Sequence, residues 1–302
     1  MTSYTYNAAH IADGFSFIEG PRWRDDRLYV SDMFNSRVLE IYDSGYVREV
    51  CSMSDYPSGL GFAPDGSLLV VSQSERRVKR WTGAAFEQWA DLTEILPFMC
   101  NDMLVDKSGR AYVGNYGWDS DEDPTTQSTA IALIQPDGSA SVAAEDLIFP
   151  NGMVLSPDGR TLYVAETYGA RVSAFDVAAD GSLSNRRIWA SFSDKLFGTI
   201  EDAKRAGVIL PDGMALDADG ALWMGDAAGR AALRVAEGGK ILDRVETGEL
   251  TAYSVALGGP DRQTLYIGAA TPLLEIQLPF RPGVTKSSVL TCGVATPGIG
   301  LP

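Results

Sequence analysis

Short stretches of alternating hydrophobic and polar residues run along almost the whole chain, broken by glycine-containing turns. Arg27-Leu28-Tyr29-Val30 and Thr161-Leu162-Tyr163-Val164-Ala165 are representative, rich in the aromatic and aliphatic residues that fit a pleated surface. Turns such as Pro157-Asp158-Gly159 and Lys107-Ser108-Gly109 separate the strands and supply the positive-φ positions that hairpins demand. No long period of 3.6 interrupts this pattern. Only Phe197–Ala206 predicts a short amphipathic helix.

The strands fall into six copies of one unit. Each copy starts with a small or acidic residue, often followed by glycine, and continues as strand, turn, strand, tight turn, strand. The copies begin at Glu19 (EGPRW), Ser58 (SGLGF), Asn101 (NDMLV), Asn151 (NGMVL), Asp212 (DGMAL) and Ser254 (SVALG). Repeats of about 40–50 residues with four strands each are propeller blades. The prediction is an all-β, six-bladed β-propeller forming one domain over residues 1–302, with 193–211 inserted near the mouth of the central channel. Ser287–Ala295 reads as a late strand that shares a blade with N-terminal residues, closing the ring and removing exposed edges.

Composition narrows the chemistry. Forty Asp and Glu against 25 Lys and Arg give a net charge of −15, with no basic stripe, which argues against nucleic-acid binding. Neither a signal peptide nor a bilayer-length apolar run is evident, so a cytoplasmic protein away from membranes is expected. Cys51, Cys100 and Cys292 form neither a disulfide framework nor a metal-type spacing and are expected to be buried, reduced thiols. His10 is the single histidine, and there is no G-x-S-x-G elbow or H-E-x-x-H. Any catalysis here relies on carboxylates and oxygen ligands. The acidic stretch Asp119–Asp123 lacks EF-hand spacing and reads as a solvated loop. Glu166 and Asp226 end the second strands of blades four and five with no role assigned.

In a propeller, the first strand of each blade lines the channel, so the six repeat starts should form a ring at one mouth. Two carboxylates and two amides there suit a hard divalent cation such as calcium or magnesium. Asn-Gly and Asp-Gly are also ordinary turn formers, and channel amides often satisfy backbone groups or buried water. Spacing alone leaves both readings open.

The combination Ile18-Glu19-Gly20-Pro21, Asn101-Asp102, Asn151-Gly152 with Ser156-Pro157-Asp158-Gly159, and Pro211-Asp212-Gly213 resembles the SMP-30/gluconolactonase/luciferin-regenerating-enzyme family. The likeness runs from about Glu19 to the sixth repeat, and the four motifs stand in the family's order. It implies a six-bladed propeller with one divalent metal in the channel and, in many members, lactone hydrolysis. By resemblance Glu19, Asn151 and Asp212 are direct metal ligands, and Asn101 is the amide beside the metal that contacts water or substrate. Asp212 is also implied as general base. The implied ion is Ca2+ first, with Mg2+, Mn2+ or Zn2+ as alternatives. The implied reaction is attack of a metal-activated water on a lactone or ester. Non-catalytic binding of calcium or a small molecule, and a metal-dependent lyase or isomerase on the same scaffold, are the competing functions.

One departure bears on the substrate. Sugar-lactone members of the family typically carry Arg two residues before the third-blade Asn, and here that position is Met99. Losing a five-donor fork and gaining a thioether favours a less polar substrate. Tyr116, Trp118, Phe149 and Phe34 are the aromatic candidates for its wall, with packing between blades the alternative for each.

Overall fold

A computed structural model describes residues 4–119, 127–197, 199–272 and 285–300. The acidic stretch from residue 120 to 123 falls outside them. Six sheets follow one another along the chain, and the innermost strand of each contains a repeat start. These strands are Ile18–Arg24, Pro57–Phe62, Cys100–Val105, Pro150–Leu155, Pro211–Leu216 and Thr251–Gly258. Each packs against the innermost strand of the next blade, and the sixth packs back on the first. The six-bladed propeller read from the repeat is the fold observed.

Closure of the ring follows the expectation as well. Ala9–Phe15 pairs antiparallel with Ser287–Gly293 as the outermost strand of blade six. Tyr4–Asn7 adds a fifth strand, in parallel, to the Ile241–Glu246 edge of blade five. Between blades the apolar faces interlock. Leu69, Val71 and Val78 of blade two meet Met103, Val113 and Ala132 of blade three, and five comparable clusters fill the other interfaces. Each such Leu or Val contributes about 1.5–3 kcal/mol by leaving water.

The turns behave as their chemistry demands. Gly159 adopts φ +72°, and Asp158 accepts the Arg160 backbone N–H at 3.1 Å, fixing the hairpin of blade four. The helix of the insertion is shorter than predicted, spanning Ile200–Arg205, with Thr199 capping it by accepting the Asp202 N–H at 3.2 Å. Phe197, predicted to be helical, stays outside it because its N–H is bonded to the Tyr168 carbonyl at 3.0 Å. Cys51 and Cys100 are buried, and burial pushes both thiols up to about 12. Cys292 is only half-buried, against expectation, because it lies on a strand near the blade's outer edge. Among the described residues no helix is long and apolar enough to cross a membrane.

Candidate functional site

The channel mouth is built by a repeated irregularity. Each innermost strand loses register with its neighbour where the repeat begins: between Glu19 and Arg22, Pro57 and Leu60, Cys100 and Met103, Pro150 and Met153, Pro211 and Met214, and Ala252 and Ser254. Such bulges leave residues unpaired and re-aim their side chains. Ser58, Asn101, Asn151 and Asp212 each fall inside one. Glycine follows in blades one, two, four and five because neighbouring backbones come too close for a Cβ. One placed on Gly152 would lie 2.5 Å from the Asp212 carbonyl.

Blade six shifts the ring by one residue. A Cβ on Gly213 would meet Ser254 at 2.8 Å, and Ala252 pairs where the other blades carry the residue before the ring position. Tyr253 therefore takes the sixth place. Ser254 donates its hydroxyl to the Ile18 carbonyl at 3.1 Å and serves the backbone. Its bulge holds one residue fewer than the others, which the sequence pattern did not reveal.

Glu19, Asn101, Asn151 and Asp212 are all buried. Burial pushes the Glu19 carboxyl well above the ordinary carboxylate range, and the charges of Asp212 and Asp102 add to it. Asp212 is pushed up by burial and then by Asp102, while the Gly213 N–H and the Asn151 amide work against the rise. Asp212 Oδ1 is buried without a hydrogen-bond partner among the described residues. A buried acceptor of this kind costs about 1–3 kcal/mol unless something else occupies it. Among the described residues no group of three or more Asp, Glu, His or Cys side chains is placed to hold a metal ion.

The two amides are held in opposite orientations. Asn151 donates through Nδ2 to the Thr167 hydroxyl at 3.1 Å, and Thr167 donates on to the Pro211 carbonyl at 2.9 Å. That leaves Oδ1 of Asn151 as its acceptor atom. Asn101 accepts through Oδ1 from the Ser58 hydroxyl at 3.3 Å, which leaves its NH2 to donate. One amide is set to present oxygen and the other to present hydrogen.

The four aromatic candidates converge on one wall. Phe34, Trp118 and Phe149 belong to a single cluster with Phe17, Tyr168 and Tyr253. Phe149 lies 4.8 Å from Tyr116, 4.9 Å from Tyr168 and 6.3 Å from Trp118 between ring centroids. Its φ of +53° is unusual for a bulky residue and marks strain held beside Asn151. Phe197, Ala203 and Leu210, from the segment around the short helix, pack in the same cluster. Met99 is half-buried and accepts the Tyr116 backbone N–H at 3.0 Å, so it sits at the edge of the aromatic group.

Several participants escaped the sequence reading. Gln73 donates to the Tyr116 phenol oxygen at 3.1 Å. Burial and then the charge of Glu19 push that phenol up, which puts it within electrostatic reach of the carboxylates. Arg22, a cation not anticipated in the channel, is buried and paired with Asp102 at 3.0 Å. Both residues break the repeat, and that break was the signal available. Glu166 and Asp226 also acquire a role: they accept the Ile148 and Leu210 N–H groups at 2.8 and 3.1 Å and hold the chain leading into blades four and five. Asp32 does the same for Ser16 in blade one.

Known proteins share this architecture and sequence. Pentonolactonase XacC of Haloferax volcanii is 28% identical over 83% of this chain and 81% of its own length. Regucalcin of Danio rerio is 30% identical over 68% of this chain and 65% of its own length. A solved luciferin-regenerating enzyme superposes with a TM-score of 0.77 at 21% identity, covering 96% of this chain and 95% of its own. The profile of the SMP-30/Gluconolactonase/LRE-like region matches residues 17–271. With the ring, its bulges and its buried carboxylates in place, the chain belongs to the SMP-30/gluconolactonase/LRE-like family.

Proposed function

We propose that the protein is a metal-dependent lactonase acting on a lactone less polar than a sugar lactone. The observation that carries this reading is the unpartnered Oδ1 of Asp212, on a buried carboxyl that interacts with the Asn151 amide and lies within electrostatic reach of the Glu19 carboxyl. Three oxygen donors of this kind fit a hard divalent cation, Ca2+ foremost, and Mg2+, Mn2+ or Zn2+ by the same chemistry. Charge agrees: once a bound cation ionises Glu19 and Asp212, these two and Asp102 against Arg22 leave two net negative charges. A divalent cation held there supplies Lewis acidity to an ester carbonyl and acidity to water.

The chain's own residues do the rest. Asp212 takes the proton of the attacking water. The Asn101 NH2, free because Ser58 holds its oxygen, donates to the oxygen on which negative charge develops. Tyr116, Trp118, Phe149 and Phe34 exclude water and seat the apolar part of the substrate, and Met99 offers it a thioether instead of a cation. A pentonolactonase among the relatives supports lactone as the substrate class.

The decisive experiment is a hydrolysis screen of alkyl, aryl and aldonolactones and aryl esters on chelator-stripped protein, with each metal restored singly. Turnover should depend on the added metal and collapse in Asp212→Ala. Activity that ignores chelation, or an unimpaired Asp212→Ala, refutes the mechanism. Cation binding without turnover of any ester would mark a non-catalytic binding propeller, and a product lacking the added water would mark a lyase or isomerase.

A further inference from the structure

Two residues in the channel violate the six-fold pattern, and they meet each other. Arg22 pairs with Tyr29; the equivalent positions in the other blades are Gly61, Leu104, Val154, Ala215 and Ala256. Five blades thus place a small or apolar residue where blade one places a buried guanidinium. Asp102 stands where blades one, two, four and five carry Gly20, Gly59, Gly152 and Gly213. The guanidinium reaches across blade two to Asp102 at 3.0 Å, and also donates to the carbonyls of Met103 and Pro21. Both side chains are almost fully buried, with side-chain exposures of 7% and 8%.

A buried ion pair is rarely a gain in stability over apolar packing, so its retention calls for another reason. The surroundings supply one. Asp102 lies within electrostatic reach of both Glu19 and Asp212, and Arg22 within reach of Glu19. Without Arg22, the ring would hold three uncompensated carboxylates.

Resting on the metal reading above, we propose that Arg22 sets the valence of the site: by neutralising Asp102 it leaves a net charge of two and matches the channel to a divalent rather than a trivalent cation. Arg22 touches none of the three ligands in this role. It is a positioning residue for charge.

The test measures cation affinity, not activity. Ca2+ and Tb3+ binding are followed by calorimetry and terbium luminescence in the wild type, Arg22→Met, Asp102→Asn and the double variant. Arg22→Met should raise the preference for Tb3+ over Ca2+ at least about tenfold, and Asp102→Asn should weaken Ca2+ binding by about tenfold or more. The double variant restores the net charge and should return to within about threefold of the wild type, although both changes remain. A purely structural strut predicts no such restoration. Singles indistinguishable from the wild type, or a double no closer to it than either single, overturn the proposal. Should Arg22→Met fail to fold, Asp102→Asn and the double variant decide by the same criterion. A wild type that binds neither ion overturns the metal reading itself.

Discussion

Replacing Asp212 with Asn is expected to make the metal-free protein more stable and the metal-supplemented one less so. The carboxylate is buried, Oδ1 has no partner among the described residues, and the charge of Asp102 opposes its ionisation. Exchanging a buried carboxyl whose ionisation is opposed for a neutral amide of the same shape recovers about 1–2 kcal/mol. At roughly 2 °C per kcal/mol for a chain of this size, Tm in chelator should rise by about 2–4 °C. On the proposed metal reading the wild type should instead gain about 4 kcal/mol at a thousandfold cation excess over Kd, or about 8 °C. Asp212→Asn should lose most of that gain. Differential scanning calorimetry of both proteins, in chelator and in excess Ca2+, reads all four values. A variant less stable than the wild type in chelator, or one that keeps the full calcium-linked shift, refutes the reasoning.

Other expectations follow from the same geometry. Glu166 is fully buried, with Arg171 and Arg186 each at 2.7 Å and the Ile148 N–H at 2.8 Å, so Glu166→Ala should cost about 3–5 kcal/mol in urea unfolding. Burial raises Asp226 to about 6, above its unfolded value, so the stability it contributes is complete below about pH 4 and is lost as pH rises through 6. Asp226→Asn keeps the acceptor for Leu210 and Ala228 and should remove about 2–3 kcal/mol of that decline, measured between pH 4.5 and 8 in chelator. An unchanged pH slope would show that another group carries it. Met99→Arg should raise kcat/KM on aldonolactones by about tenfold and lower it on alkyl lactones. A shift in the opposite direction removes Met99 from substrate selection.

What the sequence made legible was local or periodic. Hairpin turns such as Pro157-Asp158-Gly159 are decided by their own residues, and the repeat multiplied them into six blades. Glycine after the ring residue could be read as turn chemistry; its cause is the close approach of neighbouring strands, seen at Gly152. The sixth ring position slipped from Ser254 to Tyr253 because a bulge one residue shorter leaves no mark on the hydrophobic alternation. Arg22 and Asp102 are 80 residues apart, and periodicity says nothing about which blades face each other across the channel. Gln73 was hidden for the same reason. Its bond to Tyr116 joins blades two and three across their interface, a pairing that hydrophobic alternation does not encode.

The clasp between Ala9–Phe15 and Ser287–Gly293 is held by hydrogen bonds and packing alone. Ile18–Arg24, the next strand along the chain, carries Glu19. Strain on the clasp is thus transmitted over a few residues to the channel, and anything bridging Glu19 to blades four and five resists its opening. On the metal reading proposed above, cation occupancy and integrity of the ring would be a single equilibrium. Hydrogen exchange in the first outermost strand should report on the centre of the molecule, slowing when the channel is filled and quickening when a chelator empties it.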